Sequence, residues 1–160
     1  MLDLYDELRR VLDALDAASV PYALAGGLAV SIYTTPRATE DVDLALDALD
    51  LDRARTALAP LGLRPAGRAM PVAGGRLEIQ RLTRIDGADL LILDLLVARD
   101  PELAAALRAR TAMLMEGRTI WVVTLDTLRM LKRLRGSTQD RKSTRLNSSH
   151  GYQSRMPSSA

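Results

Sequence analysis

The chain of 160 residues contains no cysteine, no phenylalanine and a single histidine, His150. Without cysteine, disulfide bonds, thiolate zinc sites and cysteine nucleophiles are all excluded. His150 lies in a polar C-terminal stretch, so neither a histidine-based zinc site nor a Ser/His/Asp triad can be assembled. Carboxylates are therefore the candidates for chemistry in this sequence.

Long apolar runs are also missing, since none approaches the roughly 20 residues of a membrane helix. The N-terminus is acidic where a signal peptide would be basic. Apolar residues nevertheless make up 48% of the chain, with aromatics at only 3%, so the core must consist of Leu, Val, Ile, Ala and Met. We expect a soluble cytoplasmic protein of one domain that does not contact a membrane.

Charge is distributed unevenly along the sequence. Residues 1–136 contain 18 Lys and Arg and 19 Asp and Glu, a net of −1, whereas residues 137–160 contain 4 and 1, a net of +3. Residues 1–136 thus lack the excess of positive charge that is typical of proteins that bind a nucleic-acid backbone. We predict a domain over 1–136 and a disordered, non-native tail over 137–160, because residues 141–150 resemble translated sequencing-adapter sequence. The natural C-terminal continuation would then be missing.

Hydrophobic periodicity and turn residues predict an alternation of helices and strands. Asp86-Gly87 is a strong hairpin signal between two of the strands. The predicted elements are a helix over 1–18, a strand over 22–25, a helix over 28–33, a strand over 41–47, a helix over 51–61, a hairpin of 76–85 with 90–97, a helix over 101–110, a hairpin over 113–123 and a helix over 125–134 capped by Thr124.

One constellation of residues points to chemistry. Gly26 and Gly27 follow a predicted strand and precede a helix, which lets the backbone and the helix N-terminus approach phosphate oxygens. Asp41 and Asp43 stand two apart on a strand and share a face, so both can bind one hard cation. Asp94 interrupts an aliphatic strand and would complete a three-carboxylate site of the type that holds two Mg2+ ions.

These motifs, Ala-Gly-Gly-Leu-Ala-Val at 25–30, Pro-Arg-Ala-Thr at 36–39 and Asp-Val-Asp-Leu at 41–44, resemble the signature of the DNA polymerase beta-like nucleotidyltransferase superfamily. The likeness is greatest to small bacterial members of toxin-antitoxin and abortive-infection systems. It implies an α+β fold with a mixed β-sheet flanked by helices. It also implies phosphate binding by Gly26 and Gly27, and two Mg2+ ions on Asp41, Asp43 and Asp94, with Asp94 as metal ligand or general base.

Three further residues are weaker candidates for binding a nucleoside triphosphate such as ATP. Arg37 sits where small members of the superfamily often carry an arginine, and its fork suits phosphate, although it could instead pair with Glu40 or Asp41. Ser31 lies one helical turn past Gly27. Lys132, on the last predicted helix, is a nucleotide-binding cation or a solvated surface residue.

Two classes of function are compatible with this pattern. The first is an enzyme that transfers a nucleoside monophosphate from an NTP to a hydroxyl of RNA such as tRNA, of a protein or of a small molecule. The second is a non-catalytic member of the fold that binds nucleotide or a cognate toxin or antitoxin protein. The presence of Asp41, Asp43 and Asp94 together favours the enzyme, and the acceptor is left open.

Overall fold

The computed structural model describes residues 2–33 and 41–136. Within these ranges there are five α-helices, three short 3-10 helices and eight strands. The helices are α1 (Leu4–Ala17), α2 (Gly26–Tyr33), α3 (Leu51–Leu58), α4 (Pro101–Arg108) and α5 (125–136). The strands are β1 (Ala23–Ala25), β2 (Asp41–Asp47), β3 (Arg64–Pro65), β4 (Met70–Val72), β5 (Leu77–Asp86), β6 (Asp89–Ala98), β7 (Arg110–Met115) and β8 (Arg118–Val123).

All of the described strands belong to one mixed sheet. Its order is β3-β5-β6-β2-β1-β8-β7, with β4 paired to β5 beside β3. The two central pairings on either side of β2 differ in direction, because β2 runs parallel to β6 and antiparallel to β1. The outer pairs β5/β6 and β7/β8 are antiparallel hairpins. The predicted α+β architecture with a mixed sheet is confirmed.

Local chemistry accounts for where several helices begin. The carboxylate of Asp3 caps α1 by accepting hydrogen bonds from the backbone N–H groups of Tyr5, at 3.0 Å, and Asp6, at 3.2 Å. The predicted cap of the last helix is also confirmed, since the Thr127 N–H donates to the Thr124 hydroxyl at 3.2 Å. These bonds satisfy donors that a helix N-terminus otherwise leaves unpaired.

Helices cover both faces of the sheet and build two apolar clusters. On one face α1, α2 and α3 pack on large aliphatic strand residues, among them Leu24, Leu44 and Leu93. On the other face α4 and α5 pack on strand residues that include alanines, among them Ala25 and Ala45, as well as Leu96. Because β-strand side chains alternate between faces, the sequence Asp-Val-Asp-Leu-Ala-Leu-Asp of β2 places its aspartates on the second face.

The structure differs from the sequence prediction in three places. β3 and β4 were not predicted, because each is very short and contains a proline, Pro65 or Pro71, which disfavours strand pairing. Helix α2 begins at Gly26 rather than Leu28. The α4 helix ends at Arg108, and β7 already begins at Arg110. Among the described residues, no helix is both long and apolar enough to cross a membrane.

Candidate active site

Four neighbouring strands bring one row of residues together across the sheet. Arg81 on β5 is the register partner of Asp94 on β6, which in turn is the partner of Asp43 on β2. Asp43 is also paired with Ala25 at the end of β1. Register partners project to the same side of a sheet, and Asp41 lies two residues before Asp43 on that side. The three predicted aspartates therefore share one face, as expected.

Gly26 fits against Asp43 with no room for a side chain. Its φ is +63°, in the left-handed region that residues with a Cβ rarely adopt. A Cβ added at this position would lie 2.6 Å from the carboxyl carbon of Asp43 and closer still to its Oδ2. Glycine is thus required here for two reasons, and the turn from β1 into α2 lies directly against the carboxylate.

Asp43 is a buried carboxylate that is only partly compensated. Its side chain is 9% exposed, and its Oδ1 accepts no hydrogen bond among the described residues. The Arg135 guanidinium on α5 approaches that oxygen to 3.7 Å. The pKa of Asp43 is raised to about 6, chiefly by burial; Arg135 lowers this pKa, and the neighbouring Asp94 and Asp41 raise it. The charged form of Asp43 is therefore held at a cost in free energy.

Asp94 differs from Asp43, because the Arg81 guanidinium already donates hydrogen bonds to both of its carboxylate oxygens. The Arg81 Nε and Nη2 donate to the two carboxylate oxygens of Asp94, both at 2.9 Å, in a bidentate pair. The Asp94 side chain is 1% exposed, whereas that of Arg81 is 47% exposed. The guanidinium thus covers the carboxylate on its solvent side.

The donor set partly fits a hard divalent cation. Asp43 offers a buried oxygen without a hydrogen-bond partner, and carboxylates are the ligands that Mg2+ prefers. Asp94 lies in the same row, but both of its oxygens are bound by Arg81. Within 2–33 and 41–136, no group of three or more acidic or histidine side chains is drawn close enough to hold a metal ion. Asp43 fits the cation as it stands, Asp41 lies on the same face two residues earlier, and Asp94 fits it once Arg81 moves.

The remaining sequence candidates lie in different surroundings. Gly27 opens α2 immediately after Gly26. The Ser31 hydroxyl donates to the Gly27 carbonyl oxygen at 3.0 Å, and Ser31 lines a small cavity with Leu8 and Leu24 on the α1 side of the sheet. Lys132 is exposed on α5. Arg37 and the predicted tail over 137–160 lie outside the described residues.

Two arginines at the site, Arg81 and Arg135, were not predicted from the sequence. For Arg81 a signal exists, because a two-residue hairpin loop after Asp86 fixes the β5/β6 register and sets Arg81 opposite Asp94. For Arg135 no local pattern indicates which side of α5 faces the carboxylates. The sequence prediction named Lys132, three residues earlier on the same helix, and that call stays a prediction; Arg135 is a cation of α5 that lies beside Asp43.

Comparison with known proteins places this geometry in a known fold. No protein-family profile and no curated protein sequence matches the chain. Solved structures do match. TM1012 of Thermotoga maritima, assigned as a nucleotidyltransferase, superposes with a TM-score of 0.64 at 13% identity over 90% of this chain and 92% of that chain.

Two antibiotic-modifying enzymes have the same architecture. ANT(2")-Ia in complex with adenylyl-2"-tobramycin superposes with a TM-score of 0.53 at 17% identity over 77% of this chain and 70% of its own. The lincosamide adenylyltransferase LnuA with bound lincomycin gives 0.53 at 16% identity, over 78% and 83%. The chain therefore shares the mixed α+β fold of these nucleotidyltransferase structures.

Proposed function

We propose that this protein is a metal-dependent nucleotidyltransferase that moves a nucleoside monophosphate from an NTP to a hydroxyl group. The observation that carries the proposal is the state of Asp43. A buried carboxylate with an unpaired oxygen is costly to maintain unless a cation or ligand completes it. This one lies against a glycine turn at a helix N-terminus, in a fold that nucleotidyltransferases share.

Each part of the site has a proposed role. Gly26, Gly27 and the N-terminus of α2 receive the phosphates, because free N–H groups and the helix dipole favour anions there. Asp41 and Asp43 hold Mg2+, with Asp94 as the third ligand or as base for the acceptor hydroxyl. Two Mg2+ ions bound there would supply charge neutralisation at the α-phosphate and activation of the hydroxyl.

The bond changes follow from this assignment. The acceptor hydroxyl gives its proton to Asp94 or to water, its oxygen bonds to the α-phosphorus, the bond from that phosphorus to the bridging oxygen breaks, and pyrophosphate leaves with the electron pair. We propose ATP as the donor and a small-molecule hydroxyl as the first acceptor to test. Residues 1–136 have no excess of positive charge that would favour an RNA backbone, and the two antibiotic-bound neighbours carry small acceptors.

The test is transfer of label from each α-labelled NTP with Mg2+, in separate reactions containing tRNA, protein or small alcohols that include aminoglycosides and lincosamides. Asp43→Asn keeps the shape of the side chain and should reduce transfer by at least about a hundredfold. Asp47→Asn is the matched control, since Asp47 lies on the same strand and face but caps the following turn and pairs with Arg108 at 2.8 Å. It should transfer at nearly the wild-type rate. Equal rates for Asp43→Asn and wild type would refute the proposal.

The pairing of Asp94 with Arg81 favours a second candidate, a non-catalytic member of the fold that binds nucleotide or a toxin or antitoxin protein. In that case an NTP should raise the melting temperature by binding the folded state, while no acceptor pool takes label. Transfer to any pool decides for the enzyme.

A further inference from the structure

Arg81 and Asp94 form an ion pair in the candidate site, in which the carboxylate is buried and the guanidinium is partly exposed to solvent. The carboxylate is almost fully buried, and the guanidinium that binds it is about half exposed. Both groups are fixed by backbone register, since Arg81 and Asp94 are directly opposed on β5 and β6. The partly exposed Arg81 side chain therefore lies between the buried Asp94 carboxylate and solvent.

Arg81 interacts with more than Asp94. Its hydrogen bonds to Asp94 raise its pKa most, and the charges of Asp94, Asp41 and Asp43 raise it further. Arg135 contributes a second positive charge beside Asp43. Arg81 and Arg135 thus interact with the acids of this row, and their positive charges offset part of the repulsion among those acids.

A divalent cation and the Arg81 guanidinium compete for the same oxygens. Both are positive, and the bidentate pair already engages each oxygen of Asp94. A guanidinium fork matches phosphate as well as it matches carboxylate. The half-exposed Arg81 side chain has a solvent side into which it can turn.

We propose that Arg81 is an exchangeable counter-ion, which holds Asp94 while no divalent cation is bound and moves to the phosphates of the NTP when a cation takes its place. This inference rests on the proposed function, because it assigns the phosphate partner from that reaction. Arg81 is then a positioning residue for Asp94 in one state and a substrate-binding residue in the other.

The test uses two binding measurements on the full chain, neither of which depends on turnover. Mg2+ alone is titrated by calorimetry into chelator-treated protein, and α,β-methylene-ATP is titrated at saturating Mg2+. Arg81→Gln removes the competitor, so it should bind Mg2+ about tenfold more tightly. The same variant should bind the ATP analogue about tenfold more weakly, because a phosphate contact is lost. An arginine with a purely structural role would weaken both.

Arg99→Gln is the matched control. Arg99 follows β6 and pairs with Glu78 of β5 at 2.9 Å, so the variant removes the same charge from the same strand pair away from the acid row. Both of its affinities should stay within about twofold of wild type. If Arg81→Gln fails to fold, as judged by circular dichroism, Arg81→Lys carries the test. It keeps the charge but loses the fork, and should show both shifts at about threefold.

The proposal is overturned if Arg81→Gln binds Mg2+ no more tightly than Arg99→Gln does, or if the ATP analogue binds it as well as wild type. Failure of the proposed function would look different, since no acceptor would then take label from the wild-type protein. The Mg2+ titration would still show whether Arg81 excludes a cation from Asp94.

Discussion

The two faces of the sheet are built from the same strands but from different residues. Toward α1 and α3 the central strands present large aliphatic side chains, including Leu24, Leu44 and Leu93, each with 0% exposure. Toward α4 and α5 the same strands present Leu96 together with Ala25, Ala45 and the aspartates. Alternation along a strand thus assigns one face to packing and leaves the other face space for a charged site.

Small residues on the second face have a physical purpose. A leucine in place of Ala25 would lie directly beside Asp43, its register partner, and would compete for the space that a ligand needs. Alanine buries the backbone without filling that space. The large core on the opposite face supplies the stability that permits unpaired charge on this one, because burying a polar group without a partner is unfavourable.

The largest expected effect is on the packing face. Leu44→Ala should lower the free energy of unfolding by about 2–5 kcal/mol, because a fully buried leucine leaves a cavity. Urea unfolding measures the loss. Leu49→Ala is the control, since Leu49 is 90% exposed, and it should change stability by less than about 0.5 kcal/mol. At a temperature where Leu44→Ala stays folded, its transfer rate should match wild type. A large loss of transfer activity would contradict the statement that one face serves packing and the other holds the charged site.

Gly26→Ala should have the next largest effect and lower the free energy of unfolding by about 2–4 kcal/mol. The variant must hold a positive φ, and its Cβ would displace the Asp43 carboxylate. Gly117→Ala measures the cost of the positive φ alone, because Gly117 has a φ of +77° and an added Cβ there would have nothing within 4 Å. Thermal unfolding should show Gly26→Ala as clearly the less stable variant. Equal stabilities of Gly26→Ala and Gly117→Ala would mean that the Asp43 side chain can move aside at little cost in free energy and that the turn does not constrain it.

Much of this arrangement could be predicted from the sequence, because it depends on local patterns. Period-two alternation in β2 placed Asp41 and Asp43 on one face, and the aliphatic run around Asp94 indicated a central strand. The glycine pair marked the turn, although only the structure shows that Gly26 is the residue in contact with Asp43.

What the sequence could not provide was long-range register. The pairing of Asp43 with Asp94 joins strands that lie fifty residues apart, and no local signal fixes the offset between parallel strands. The contact of Arg135 with Asp43 depends on how α5 is rotated on the sheet, which tertiary packing decides. The charge balance of the site is therefore a property of the fold more than of the motif.

The prediction with the smallest expected effect concerns how ionisation of Asp43, on the second face, lowers the free energy of unfolding. The pKa of Asp43 is raised from 3.8 to about 6, so the folded state prefers the protonated carboxyl. The free energy of unfolding should accordingly fall as the pH rises from about 4 to about 6, and stay lower above that. Asp43→Asn carries no charge and should be more stable than wild type by about 2 kcal/mol at pH 7.5 without metal.

Urea unfolding in chelator at pH 7.5 and pH 4 measures this difference, which should shrink to about 0.5 kcal/mol at the lower pH, because the folded Asp43 carboxyl is then protonated and the unfolded one is only partly ionised. Asp47→Asn is again the control, and it should be slightly less stable than wild type at pH 7.5, since it weakens a cap and an exposed ion pair. Adding Mg2+ with ATP should stabilise wild type and leave Asp43→Asn nearly unchanged. If Asp43→Asn were less stable than wild type at pH 7.5 without metal, Arg135 would already compensate Asp43 fully, and the second face would contain no unmet charge for a cation to satisfy.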